Sequence, residues 1–201
     1  MLLRQQIRLH LPRVARRTAA PTPLACLPRL QSTVAVLPPE LSEFRPNVGV
    51  CLVNDEGLVF AATRVDDPGR SWQMPQGGID AGEAPLQAAL RELAEETSVV
   101  SVEPLAELPV WLTYEFPTHV RCTFSGEWAA YKGQAQRWFL LRFTGSDAEI
   151  NLKTAHREFN HWRWMPLDQL PGSVISFKQD VYARVAQEFG PIIQRTLAAR
   201  Q

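Results

Sequence analysis

Between Gly77 and Val99 the chain reads GGIDAGEAPLQAALRELAEETSV, with glutamates at positions 83, 92, 95 and 96. No other stretch limits the fold as tightly. Its second half, from about Ala84 to Thr97, has the spacing of a helix. At about 100° per residue, with Glu92 as the origin, Glu96 falls near about 40° and Glu95 near about −60°. Three carboxylates therefore share an arc of roughly 100°. Leu93, Leu86, Thr97, Leu90 and Ala89 fall between roughly 60° and 160°, on a separate apolar face. One side of this helix enters a core, and the other gathers three negative charges.

Such crowding requires a cause. Like charges four residues apart cost about 0.2–0.5 kcal/mol on an exposed helix, and more in a cleft. A solvated acidic face is one reading. A hard divalent cation is the other, because Mg²⁺ or Mn²⁺ takes carboxylate oxygens and keeps waters for a phosphate.

The spacing runs glycine at 77, five residues, Glu83, seven residues, then Arg91-Glu92-Leu93-Ala94-Glu95-Glu96. This resembles the Nudix box, the signature of hydrolases that cleave pyrophosphate linkages. One position departs: the family pattern has glycine two residues after the last glutamate, where this chain has Ser98. A left-handed residue ending the helix would explain that glycine. Serine there implies about 1 kcal/mol of local strain and leaves every carboxylate in place.

The formal net charge of zero hides an asymmetry. Residues 1–36 carry Arg4, Arg8, Arg13, Arg16, Arg17 and Arg29 and no acid, which leaves 15 basic against 21 acidic residues beyond them. The leader reads as an organellar presequence, with a basic nucleic-acid arm as the alternative. Arginine spacing from the very start favours a mitochondrion over a chloroplast. Residues 37–43 form a Pro-containing linker, and 44–201 form the folded domain. No run approaches the length of a membrane span. Cys26, Cys51 and Cys122 have no paired spacing, so neither a disulfide framework nor a zinc site is expected.

Val48, Val50 and Leu52, then Leu58, Phe60 and Ala62, alternate around Asn54–Gly57 and predict a hairpin. Trp72–Met74 is a short strand entering Pro75-Gln76-Gly77-Gly78, where paired glycines let the backbone turn and approach a ligand. Strands are predicted over 99–107, 109–114, 136–143 and 161–165, with 115–133 rich in loops. Val181, Val185 and Phe189, with Tyr182 and Ile192–Ile193, give a last helix from about Lys178. Together these elements predict an α/β fold, an α/β/α sandwich around a mixed β-sheet.

Blocks outside the box narrow the resemblance: FRPNVGV, SWQMPQGGID, WLTYEFP, YKGQAQRWFLLRF and EFNHWRWMPLDQLPGSVISFKQDVY. They resemble the bacterial RNA pyrophosphohydrolases and the plant organellar dinucleoside polyphosphate hydrolases, over roughly residues 42–190. The resemblance implies that Glu92, Glu95, Glu96, the Gly77 carbonyl and Glu158 hold Mg²⁺ or Mn²⁺. It implies that Arg45 and Lys178 contact phosphates, and that Arg64 and Phe177 sandwich a purine. Glu92, or else Glu158, takes the proton of the attacking water. Arg91, four residues before Glu95, is placed to orient that carboxylate. Gln134 and Gln136 receive no role.

The expected activity is metal-dependent hydrolysis of dinucleoside polyphosphates, with diadenosine tetraphosphate cut to ATP and AMP. Removal of pyrophosphate from a triphosphorylated RNA 5′ end, or hydrolysis of guanosine tetraphosphate, are the alternatives within the same chemistry. A catalytically dead nucleotide- or RNA-binding module is a third reading, disfavoured by the complete carboxylate set. A nucleotide or an RNA 5′ end is the expected partner, with no DNA, membrane or obligate protein partner.

Overall fold

The computed structural model describes residues 36–67, 71–155 and 157–199. The leader over 1–36, with its presequence reading, lies outside the described residues apart from Val36. The strands are β1 (Phe44–Val53), β2 (Val59–Arg64), β3 (Trp72–Gln73), β4 (Gln76–Gly78), β5 (Val102–Glu107), β6 (Leu112–Glu115), β7 (Gly133–Phe143) and β8 (Phe159–Met165). The helices are α1 (Pro85–Thr97), α2 (Thr118–Arg121) and α3 (Gln179–Ala198).

All eight strands form one mixed sheet. Its spine is the parallel pair β1 and β7, in register from Phe44 opposite Gly133 to Val53 opposite Arg142. Side chains alternate across these strands with the strand period of two. Val48, Val50, Leu52, Phe139 and Leu141 pack with Ala88, Ala89 and Leu93 of α1. Cys51, Val53, Trp138 and Leu140 pack with Val181, Tyr182, Val185 and Phe189 of α3. Both faces of the spine are apolar because a helix covers each, which is the α/β/α sandwich.

The hairpin turn forms at its expected place, where Asn54 Oδ1 accepts the N–H groups of Glu56 and Leu58 at 3.0 and 2.9 Å. Its strands then part, for β1 and β2 pair only at Val53 and Val59. Beyond that point β4 takes the edge of β1 at Asn47–Gly49, while β3 and β8 flank β2. The segment from Trp72 to Gly78 thus bridges a split in the sheet. A bulge between Thr63 and Arg64 turns the end of β2 toward Glu158, a placement common beside active sites.

Helix α1 opens with Pro85, whose missing N–H costs nothing in the first turn. It ends on Ser98 at φ 65°, the one non-glycine positive φ among the described residues. The strained end expected from the sequence is present, and it is sharp. The Ser98 N–H reaches the Ala94 carbonyl at 2.8 Å, and the Thr97 hydroxyl reaches Leu93 O at 2.6 Å.

Candidate active site

The split in the sheet, the first turns of the β1–β7 spine and the polar face of α1 enclose a cleft of about 280 Å³. Arg45, Arg64, Gly77, Glu92, Glu158 and Lys178 all line it. The parallel register sets Gln134 beside Arg45 and Gln136 beside Asn47, so the cleft floor is a row of amides. Gln136 Nε2 donates to Asn47 Oδ1 at 2.8 Å and to Gln76 Oε1 at 2.9 Å, and Lys178 Nζ donates to Gln76 Oε1 at 3.1 Å. Tyr182 OH, from α3, accepts the Met74 N–H at 3.0 Å and so fixes the bridging segment against the sheet.

At the acidic end Arg91 is the hub. Its Nε and Nη2 grip both oxygens of Glu83 at 2.9 and 2.8 Å, and Nη2 also reaches the Gly78 carbonyl at 2.9 Å. Nη1 holds Glu92 Oε1 at 2.9 Å and Glu95 at 3.4 Å. The pairing of Arg91 with Glu95 expected from helix spacing is therefore the longest of its side-chain hydrogen bonds, because eight residues of loop and helix bring Glu83 back within easier reach. That bidentate pair holds the Glu83 carboxyl below the usual range.

Glu96 is only 3% exposed and accepts the Gln76 N–H at 3.2 Å. The wheel placed it with the other carboxylates, and it lies beneath them, between α1 and β4. Burial pushes its carboxyl well above the usual range, and the charges of Glu158 and Glu92 push it further. Glu92 is raised as well, first by burial, with Glu95 and Glu158 adding to the effect and Arg91 opposing it. These shifts mark a site that favours positive charge. Burial, and then Arg64, lower the Lys178 ammonium to about 8 against the pull of Glu96 and Glu158.

A NUDIX domain model matches residues 43–185. The chain belongs to the Nudix family of hydrolases. It is 50% identical over 161 residues to Nudix hydrolase 26, chloroplastic, of Arabidopsis thaliana, covering 78% of this chain and 73% of that one. It is likewise 50% identical over 161 residues to the RNA pyrophosphohydrolase of Bradyrhizobium sp. strain ORS 278, covering 74% and 94%. The structure of the E. coli dihydroneopterin triphosphate pyrophosphohydrolase matches with a TM-score of 0.55 at 19% identity, covering 72% of this chain and 96% of that one, a likeness of fold.

Nudix hydrolases generally use divalent cations. Among the described residues no three acidic, histidine or cysteine side chains already converge as a cage. The donors still fit a hard cation, since carboxylate oxygens are what it takes. A Cβ built on Gly77 would lie 1.7 Å from Glu92 Cδ, so only glycine lets that carboxylate lie against the backbone. Glu92 is paired with Arg91 at 2.9 Å and Glu158 with Arg64 at 2.8 Å.

Other residues singled out in the Nudix sequence fall around the cleft rather than in its lining. Glu95 is exposed on the outer side of α1. Phe177 packs on Tyr114 at 5.6 Å and on Phe116 at 6.5 Å, whereas Arg64, its expected partner, does line the cleft and is held by Glu158 and Asp66. The sequence reading gives Gln134 and Gln136 no role and does not single out Gln76 or Trp128. Two glutamines at i and i+2 on an otherwise apolar strand were a legible sign of a polar strip on one face. Trp128 shares its loop-rich stretch with Phe116, Phe124 and Tyr131, which together give no sustained period.

Proposed function

We propose that this Nudix hydrolase cleaves a phosphoanhydride bond of dinucleoside polyphosphates, taking diadenosine tetraphosphate to ATP and AMP with Mg²⁺ or Mn²⁺. One observation carries the reading: carboxylates and three cationic side chains line a single cleft. A polyphosphate spanning it meets Arg45, Arg64 and Lys178 along its chain, with the bond to be cut near Glu92 and Glu158.

The cation supplies charge neutralisation at the phosphate oxygens and a more acidic water. Glu92, Glu95, Glu96, Glu158 and the Gly77 carbonyl are the groups assigned to hold it. Arg91 fixes Glu92 Oε1, which leaves Oε2 as the atom assigned to take the water proton. Glu158 is the second candidate for that base. Arg64 and Phe177 are assigned to the nucleobase.

A second reading, removal of pyrophosphate from triphosphorylated RNA, draws support from relatives named RNA pyrophosphohydrolase at 46% and 50% identity. Turnover of diadenosine tetraphosphate and of a short triphosphorylated RNA, measured side by side, separates the two. The first reading expects the higher kcat/KM on the dinucleotide, and preference for RNA would replace it with the second. For localisation we take an organelle. Arginine spacing favoured a mitochondrion, and relatives named chloroplastic, at 50% and 48% identity, support a plastid instead.

The Lys178 assignment predicts a pH effect. A phosphate prefers the charged ammonium, and that form is lost as pH rises through about 8. kcat/KM should therefore fall above about pH 8 in the wild type. Lys178→Arg, always charged, should flatten that limb, and superimposable profiles would remove Lys178 from phosphate binding.

A further inference from the structure

A cleft of about 280 Å³ is smaller than the roughly 300–1,000 Å³ of pockets that enclose a drug-sized ligand. A substrate with a nucleoside at each end of its phosphate chain leaves one nucleoside outside. Trp128 stands at the rim. It lines the cleft and also lines a second, open hollow of about 310 Å³ with Thr123, Phe124 and Ser125.

Arg45 Cζ sits 4.3 Å over its ring, yet the side chain remains 40% exposed. Phe124 braces the ring at 5.6 Å and is itself packed edge-on to Phe116 at 4.9 Å. The row continues through Tyr114 to Phe177, each step 5.6 Å. Trp128 thus stands at the outer end of an aromatic cluster whose inner part is the mutually packed Tyr114, Phe116 and Phe177. A rigid, half-open indole beside a guanidinium is suited to receive a flat base by stacking.

We propose that Trp128 is the stacking platform for the distal nucleobase of a dinucleoside polyphosphate, and so sets the preference for two-ended over one-ended nucleotides. This rests on the dinucleoside reading above. The substrate chain leaves the cleft along Arg45, and its far base comes to rest on the indole above the outer hollow. Glycine or alanine there would leave that base in water.

The test compares kcat/KM for diadenosine tetraphosphate and for adenosine 5′-tetraphosphate, which has the same chain and one base. The ratio of the two is the readout, because any disturbance of Arg45 moves both. Trp128→Ala should lower that ratio by about tenfold, in line with the loss of one stacked base. Trp128→Phe, which keeps an aromatic face, should hold most of it. Equal losses on both substrates, or an unchanged ratio, would overturn the platform and leave the dinucleoside reading standing. A wild-type enzyme that turns over adenosine tetraphosphate and leaves the dinucleotide intact would overturn the substrate reading, and the platform with it.

Discussion

Glu92→Gln and Glu96→Gln should each lower kcat with Mg²⁺ by at least ~100-fold. The amide keeps the shape of the side chain and loses both the charge that holds a cation and the capacity to take a proton. Stability should move the other way for Glu96. Its carboxyl is raised by burial, so the folded state binds its proton more tightly than the unfolded chain does. Stability of the cation-free protein therefore falls as pH rises from the ordinary carboxylate range through the raised value. Glutamine removes that penalty, and its Oε1 can still accept the Gln76 N–H. In thermal unfolding at neutral pH without divalent ions, Glu96→Gln should melt above the wild type while its turnover collapses. Near-normal rates in both variants would remove these carboxylates from the chemistry.

Gly77→Ala should abolish most activity while the fold survives. The new Cβ would sit 1.7 Å from Glu92 Cδ and about equally close to its two oxygens, at 2.1 and 2.2 Å. The obstructed group is the tip of a flexible side chain, so the carboxylate swings aside and the backbone stays. We expect kcat to fall by about 10- to 100-fold, the scale of a displaced catalytic group. Gly78→Ala offers the contrast, since its Cβ would meet Arg45 Nη2 at 2.2 Å. Displacing a phosphate contact remote from the cut bond should appear chiefly in KM. Steady-state kinetics on the pair, with circular dichroism to confirm folding, separates the two roles. A kcat for Gly77→Ala close to the wild type would mean that the position of Glu92 does not matter.

The helix at the centre of this site was legible because its constraints are local. Periodicity placed α1 within a residue of its observed start, and the left-handed Ser98 followed from one missing glycine. The alternation of Val48, Val50 and Leu52 gave a strand with a buried face, yet not its partners. Which strand lies beside β1 depends on β7, more than eighty residues away, and on the Trp72–Gly78 segment entering the split. No short-range pattern encodes that choice. The depth of Glu96 is of the same kind, since a wheel gives an angle around the helix and not the height of the wall facing it. Arg91 turned mainly to Glu83 for a comparable reason: the loop before α1 returns over the helix, and its course cannot be read from helix spacing. Trp128 was missed because the aromatics of its stretch, Phe116, Phe124, Trp128 and Tyr131, follow neither a strand nor a sustained helix period.

The account as a whole turns on how one substrate is broken. Diadenosine tetraphosphate incubated with the purified protein and Mg²⁺, with products separated before a tenth of the substrate is consumed (about 10%, an early-time choice that keeps secondary hydrolysis small), should give ATP and AMP in equal amounts. A molecule whose two bases are held by unlike sites, one by Arg64 and Phe177 and the other on Trp128, presents an off-centre bond to a single carboxylate cluster. ADP as the main product would place the cut at the central bond and contradict the unequal holding of the two bases on which the assignments of Arg64, Phe177 and Trp128 all depend.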